Sequence, residues 1–344
     1  TAVICGGSGA IFWMWLSAFL GGASAFIEST LAQIYKKKNA DGSSYGGPAF
    51  YMRDALNARW LGVIFSVLII FTYAIGYNML AAFNLQSTFQ VFSFYGDRTP
   101  AIIGVILAAL FGAVVIGGAH RLVKVTGVLV PVMGIIYVAI SLIVLVLNIG
   151  NVPAMFAGIF KNAFDFQAIF GGFAGSCIMF GIKRGLYSNE AGMGSAPNAA
   201  ATADVSHPVK QGLVQMLSVF IDTMLICTAT AFMCLSTNII PQNYLGADGS
   251  ADAAGYVQAA TASTLGKFGP IFIAFAMCLF AFTTLIGNYS YCEGCIRFII
   301  QRDIKPGELL AFRLFATALV FVGSIASAGL VWNTADMMQG LMVI

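Results

Sequence analysis

Lys183-Arg-Gly-Leu-Tyr-Ser-Asn-Glu-Ala-Gly-Met-Gly-Ser-Ala-Pro197 is polar, small and glycine-studded, in a chain otherwise apolar enough to sit in lipid. It directly follows the hydrophobic run 167–182, which is interrupted by Gly171, Gly172, Gly175 and Gly181. That run is short for a hydrocarbon core of ~30 Å. Its glycines suit a discontinuous helix whose unwound backbone faces a cavity rather than lipid. A membrane chain that keeps such a pair of segments is expected to build a gate or a binding site there, not a plain tether.

The surrounding sequence sets the class. Of 344 residues, 59% are hydrophobic and 9% charged, against roughly 25% charged in a soluble domain. The apolar residues come in long runs separated by short polar breaks, the pattern of helices and not of a β-barrel. The runs are 10–34, 61–92, 101–118, 125–148, 167–182, 211–236, 269–296 and 308–331, with a ninth starting at Trp332. The expectation is an all-α, polytopic membrane helix bundle. With hydrophobic sequence at both Thr1 and Ile344 and no initiator Met, the chain reads as a piece of a longer one, truncated at both ends.

Charge gives the orientation. Alternating sides from run to run puts Lys36, Lys37, Lys38, Arg53, Arg59, Arg121, Lys124, Lys183, Arg184, Lys210, Arg297, Arg302, Lys305 and Arg313 on one side, and only Arg98, Lys161 and Lys267 on the other. The 14 to 3 split makes the first side cytoplasmic. The net charge of +3 is therefore topology, not nucleic-acid affinity. Seven cysteines fall almost wholly inside apolar runs and read as small buried hydrophobes. Cys292-x-x-Cys295 lacks a second pair or a nearby His, and His120 and His207 are too few for haem.

Polar residues inside the runs form stripes. Tyr73, Tyr77, Asn84 and Thr88 share one helical face, and Thr284, Asn288, Tyr291 and Cys295 share another. They are expected to face the bundle interior, either as interhelical hydrogen bonds or as the lining of a cavity for a polar solute or ion. Thr283 and Thr284 offer adjacent hydroxyls without a fixed anion, which suits a weakly held monovalent cation. Glu28 and Asp222 are the acids set within runs. Glu28 is close enough to Lys36 to pair near the cytoplasmic interface. Asp222 reads either as a proton or cation site or as a hydrogen-bonded structural acid. Phe71-Thr72-Tyr73-Ala74-Ile75-Gly76 echoes Phe282-Thr283-Thr284-Leu285-Ile286-Gly287, and the two segments run in opposite directions across the membrane, as an inverted repeat requires.

Lys183–Pro197 also resembles the signature of the alanine/glycine:cation symporter family, the sodium:alanine symporters. Other segments agree in order: Gly9-Ala10-Ile11-Phe12-Trp13-Met14-Trp15, Gly46-Gly47-Pro48-Ala49-Phe50-Tyr51, Gly117-Gly118 with Arg121, Pro131 and Met133. His207-Pro208 with Ile221-Asp222-Thr223, Phe280-Ala281-Phe282-Thr283-Thr284, and Trp332 with Asp336 and Gly340-Leu341-Met342 complete a match over essentially the whole chain. The resemblance implies a LeuT-type fold of two inverted five-helix repeats with broken helices, in a single transmembrane transporter domain 1–344. Residues 1–166 would be the remainder of the first repeat plus an external connection, and 167–344 the second repeat, incomplete at its last helix. Of the first broken helix only Thr1–Cys5 would remain.

The same resemblance implies sodium-coupled uptake of a small neutral amino acid, alanine or glycine, in a bacterial or archaeal cytoplasmic membrane. Its partners would be the amino acid, the sodium ion and membrane lipids. It implies no cofactor, only sodium (or protons) as the coupling ion. Amino-acid contact falls on the broken helix at Gly171, Gly172, Phe173, Gly175 and Ser176, with Tyr77, Asn84 and Trp332 lining the pocket. Thr283 and Thr284 become sodium ligands. Where many family members carry Gln just before the Asn, this chain reads Ala81-Ala82-Phe83-Asn84, a departure that bears on selectivity. In the signature segment, Gly185, Gly192 and Gly194 are expected to allow tight turns, and Glu190 to pair with Arg184 as part of an inner gate. The competing readings are an uncoupled channel or facilitator for a small polar solute and an integral-membrane enzyme. For the latter, Ser195 and His207 are the only loosely placed pair, and Ser195 suits a gate or cap better.

Overall fold

The computed structural model describes residues 1–38, 42–117, 119–165, 173–246, 251–302 and 304–343. In chain order the elements are α1 (Ala2–Gly6), α2 (Ala10–Ile34), a hairpin of β1 (Lys37–Lys38) and β2 (Ser44–Tyr45), α3 (Pro48–Leu56), α4 (Arg59–Ser87), α5 (Thr99–Ile116), α6 (Ala119–Leu147), α7 (Val152–Ala163) and α8 (Phe173–Asn189). There follow α9 (Ser195–Ala200), α10 (Pro208–Leu235), α11 (Ala253–Leu265), α12 (Phe268–Ile300), α13 (Pro306–Ile325) and α14 (Ala328–Val343). Among the described residues seven helices are long and apolar enough to cross a membrane: α2, α4, α5, residues 127–147 of α6, α10, α12 and α13. Each coincides with one of the hydrophobic runs. The chain is a multi-pass membrane helix bundle. Large side chains such as Leu20, Ile135, Leu217 and Phe275 stand exposed on its helices, as they do where the solvent is hydrocarbon.

Among the described residues two helices depart from α geometry part-way along. Ile70–Tyr77 of α4 and Ile221–Cys227 of α10 are π-helical. Each widened turn shifts the side chains beyond it around the helix, and such turns gather at functional sites.

The chain divides into two units. Unit one holds residues 1–22, 131–189 and 217–277. In it α1 packs on α8, and Gly181 of α8 is so close to α2 that a Cβ there would strike the Ala10 carbonyl and Trp13. Polar groups cross between its elements. Trp13 Nε1 donates to the Ala163 carbonyl at 3.1 Å, Asn148 Nδ2 to Thr264 Oγ1 at 2.9 Å, and Asn151 Nδ2 to the Ser236 carbonyl at 2.8 Å. Ile4, Ile11, Met14, Ile159 and Cys234 form its core.

Unit two holds residues 23–130, 190–216 and 278–344. Here α13 lies against α4 and α5 over a core of Leu85, Phe111, Leu285, Tyr289 and Val320. The approach is close because Gly323 has no side chain; a Cβ there would run into the Met79 backbone. A relay ties α12 to α13: Arg313 Nε donates to Tyr289 Oη at 3.2 Å, Tyr289 to Glu293 at 3.0 Å, and Arg297 to Glu293 at 2.8 Å. Beside the hairpin, the Arg53 guanidinium, and then Lys37, hold the Asp54 carboxyl down at about 2.

Gly323→Ala is expected to destabilise the protein by about 1–3 kcal/mol, as overpacking does, and to lower its unfolding temperature in detergent. Gly134→Ala, whose Cβ would meet nothing within 4 Å, serves as the control. Equal unfolding temperatures for the two variants would contradict the close approach of α4 and α13.

Candidate functional site

The π segment of α4 concentrates buried polar groups in unit two. Thr72, Tyr73, Tyr77 and the next residue, Asn78, are all 2% exposed or less. Opposite them α12 presents Asn288 and Tyr291. Asn288 Nδ2 donates to Asn78 Oδ1 at 3.0 Å, and the Tyr73 and Tyr291 rings meet edge to face at 5.3 Å. Tyr73 also meets Tyr77 edge to face at 5.0 Å. On a further side α14 packs against the segment. Ala335 and Met338 lie over Gly76, and Thr72 Oγ1 donates to the Met338 carbonyl at 3.4 Å. Among the described residues Asn78 Nδ2 has no partner.

The loop after α8 reaches the same cluster. It turns because Glu190, Gly192 and Gly194 all have positive φ, at 54°, 78° and 76°. Gly194 has to be glycine twice over, since a Cβ would also overlap the Phe65 ring. The loop leads into α9, where Ser195 is fully buried and Ser195 Oγ donates to Glu190 Oε2 at 2.7 Å. Tyr73 faces both Glu190 and Ser195, and Tyr291 faces Glu190. From α2, Glu28 faces the backbone N–H groups of Gly192 and Gly194, and Ser24 Oγ donates to its carboxylate at 3.2 Å. This differs from the expected interfacial pairing with Lys36. Lys36 Nζ instead donates to the Ala203 carbonyl at 2.7 Å, and Gln33 donates to the carbonyls of Ala200 and Ala203, closing the end of α9. On α3, the half-buried Tyr51 hydroxyl is pushed up by desolvation and, less, by the Glu28 charge.

The arrangement is a glycine-hinged polar loop seated on a tyrosine and asparagine cluster at a π turn, within a bundle of apolar spans. The sodium:alanine symporter family matches residues 1–344, the whole of that architecture.

The chain belongs to the sodium:alanine symporter family.

Curated relatives agree. The chain is 42% identical to the amino-acid carrier protein AlsT of Bacillus subtilis, covering all of this chain and 70% of that protein. It is 43% identical to the probable sodium/glutamine symporter GlnT of the same organism, over all of this chain and 69% of that one. To the sodium/alanine symporter AgcS of Methanococcus maripaludis it is 36% identical, over all of this chain and 74% of AgcS. Family membership places the chain among membrane transporters and not among enzymes.

The residues that the family resemblance implicates are distributed as follows. Gly171 and Gly172 lie outside the described residues; Phe173, Gly175 and Ser176 fall on the first turn of α8. Arg184 belongs to the same helix. Gly185, expected in a turn, lies inside α8, where its bare Cα lets Met14 and Ser17 of α2 approach. Tyr77 is buried in the π segment, Asn84 is half-buried farther along α4, and Trp332 is half-buried on α14. Thr283 is half-buried and its Oγ1 donates to the Leu279 and Phe280 carbonyls of its own helix; Thr284 is exposed. Of the two polar stripes, the parts brought together are Tyr73 and Tyr77 with Asn288 and Tyr291.

Asn78 is the residue that the sequence stripes omit. It follows Tyr77 directly and so falls off any face counted at α-helical spacing. A double-mutant cycle tests its pairing with Asn288. Asn288→Ala alone is expected to destabilise by about 1 kcal/mol, within the range measured for interhelical hydrogen bonds in membranes. Adding Asn78→Ala should cost less than it does in the parent. Strict additivity in unfolding temperature would show that the pair is not coupled.

Proposed function

We propose that this protein carries out sodium-coupled symport of a small neutral amino acid, alanine or glycine, by alternating access. Membership of the sodium:alanine symporter family over residues 1–344 is the observation that carries the reading. Relatives named for sodium/alanine and sodium/glutamine symport support it. The reading takes residues 1–166 as the remainder of the first inverted repeat of a LeuT-type transporter plus an external connection, and 167–344 as the second repeat, incomplete at its last helix.

In this reading the amino-acid carboxylate is contacted at Gly171, Gly172, Phe173, Gly175 and Ser176, the positions that the family resemblance assigns to its broken helix. Exposed N–H groups at a half-helix N-terminus attract an anion without needing a fixed cation. Tyr77, Asn84 and Trp332 line the remainder of the pocket. Sodium, the coupling ion, takes the hydroxyl oxygens of Thr283 and Thr284 together with backbone carbonyls. The observed geometry suits that role. A threonine hydroxyl that donates to its own helix, as Thr283 does, keeps its oxygen lone pairs for a cation. Glu190, oriented by Ser195, is the acidic half of an inner gate with Arg184.

Three measurements on the full-length protein in proteoliposomes test this. Labelled alanine is expected to accumulate only under an inward sodium gradient; uptake indifferent to sodium would replace the symporter with an uncoupled facilitator. Thr284→Ala is expected to raise the sodium half-saturation several-fold while leaving alanine affinity at saturating sodium unchanged. An unaltered sodium half-saturation would remove Thr284 from the ion site. Glu190→Gln is expected to increase labelling of inward-facing single cysteines, and unchanged labelling would take Glu190 out of the gate.

A further inference from the structure

Asp222 sits close to the middle of the α10 span, as the second residue of its π segment. A carboxylate at that depth is costly to keep charged, and in membrane proteins it pairs with a cation, lies in a polar cavity or moves protons. Here no ammonium or guanidinium pairs with it among the described residues. Its interactions are with neutral groups, all on one oxygen: Ser188 Oγ at 2.7 Å, Thr223 Oγ1 at 3.3 Å and Cys227 Sγ at 3.9 Å from Oδ2. Nothing among the described residues hydrogen-bonds Oδ1. The titratable group in contact with it is Cys227, on its own helix. From α2 the nearest contributor to the segment is neutral, Trp15, which donates to Thr228 Oγ1 at 2.8 Å.

We propose that Asp222 is a proton-binding carboxylate of the transport cycle, separate from the residues assigned to the amino acid and to sodium. The proposal rests on the symport reading above. Sodium itself fits this place poorly. Cys227 Sγ, 3.0 Å from Ser188 Oγ and 3.9 Å from Oδ2, places a soft sulfur among the carboxylate's neighbours, where a hard cation favours oxygen. A proton needs only the unused Oδ1. Protonation forms an O–H bond on Oδ1 with a proton from water and removes the charge. It also turns the charge-assisted bond from Ser188 into an ordinary, weaker one. That bond joins α10 to the end of α8, the helix whose first turn carries Phe173, Gly175 and Ser176. A second bond, Asn189 Nδ2 to Thr223 Oγ1 at 3.0 Å, runs parallel to it. The charge of one side chain thereby sets how firmly the substrate-contact helix is held.

The test uses the full-length protein in proteoliposomes loaded with a pH-sensitive dye. Alanine added outside is expected to acidify the lumen in the parent protein. Asp222→Asn should lose that signal while retaining alanine exchange and the sodium half-saturation. Proton movement in Asp222→Asn equal to the parent overturns the proposal. So does a parent that accumulates alanine under a sodium gradient without moving protons, an outcome that leaves the symport reading standing. A parent driven by neither gradient fails both. Ser188→Ala covers the case in which Asp222→Asn does not fold. A displaced pH midpoint of uptake supports the proposal, and an unchanged midpoint overturns it.

Discussion

In the hydrocarbon layer no water is available to a polar group, so each N–H, C=O and hydroxyl within a span must find its partner in the protein. The spans show both ways of meeting that demand. Some side chains turn back on their own helix: Thr30 Oγ1 donates to the Phe26 carbonyl, Ser324 Oγ to Val320 and Thr317 Oγ1 to Arg313. Others cross to a neighbour, as Trp15 does to Thr228, Tyr137 to Thr230 and Asn288 to Asn78. The first kind costs nothing in helix arrangement. The second fixes which faces meet, and with the glycine contacts at Gly181 and Gly323 it determines the packing within each unit. Among the groups the protein does not fully serve are Asn78 Nδ2, unpartnered among the described residues, and the Asp222 carboxylate, whose hydrogen bonds all fall on Oδ2.

Both lie at π turns. A π turn rotates the helix beyond it and moves side chains off the α-helical face, which is how Asn78 comes to sit opposite Asn288 directly after Tyr77, and how Asp222 and Cys227 come to meet Ser188 while Thr223 meets Asn189. Among the described residues one such turn occurs in each unit, on α4 and on α10. In both places a buried polar cluster is joined to the signature segment, through Glu190 and Ser195 in unit two and through Ser188 and Asn189 in unit one.

Much of this was legible in the residues. The spans follow from hydropathy because a helix is the form that satisfies its own backbone in lipid, and seven of the runs recur as long apolar helices. The turns at Gly192 and Gly194 follow from glycine's access to positive φ. The reading of Gly185 as a third turn does not hold. The helix carries on past Ile182 to Asn189, and this glycine serves close packing, which sequence spacing alone does not distinguish from a turn. Asn78 was hidden for a different reason. Counting faces at 3.6 residues per turn assumes an unbroken α-helix, and the widened turn just before it breaks the count. Glu28 was read as an interfacial partner of Lys36. It faces the amides of the glycine loop, a tertiary contact between segments far apart in the chain.

The central claim is that amino-acid movement and sodium movement are obligatorily linked. Linkage is reciprocal, so the most direct measurement runs the cycle from the amino-acid side. Proteoliposomes of the full-length protein, with equal labelled sodium inside and outside, receive an inward alanine gradient. The account predicts net accumulation of labelled sodium that decays as the alanine gradient collapses. Alanine entry with no net sodium accumulation would contradict it.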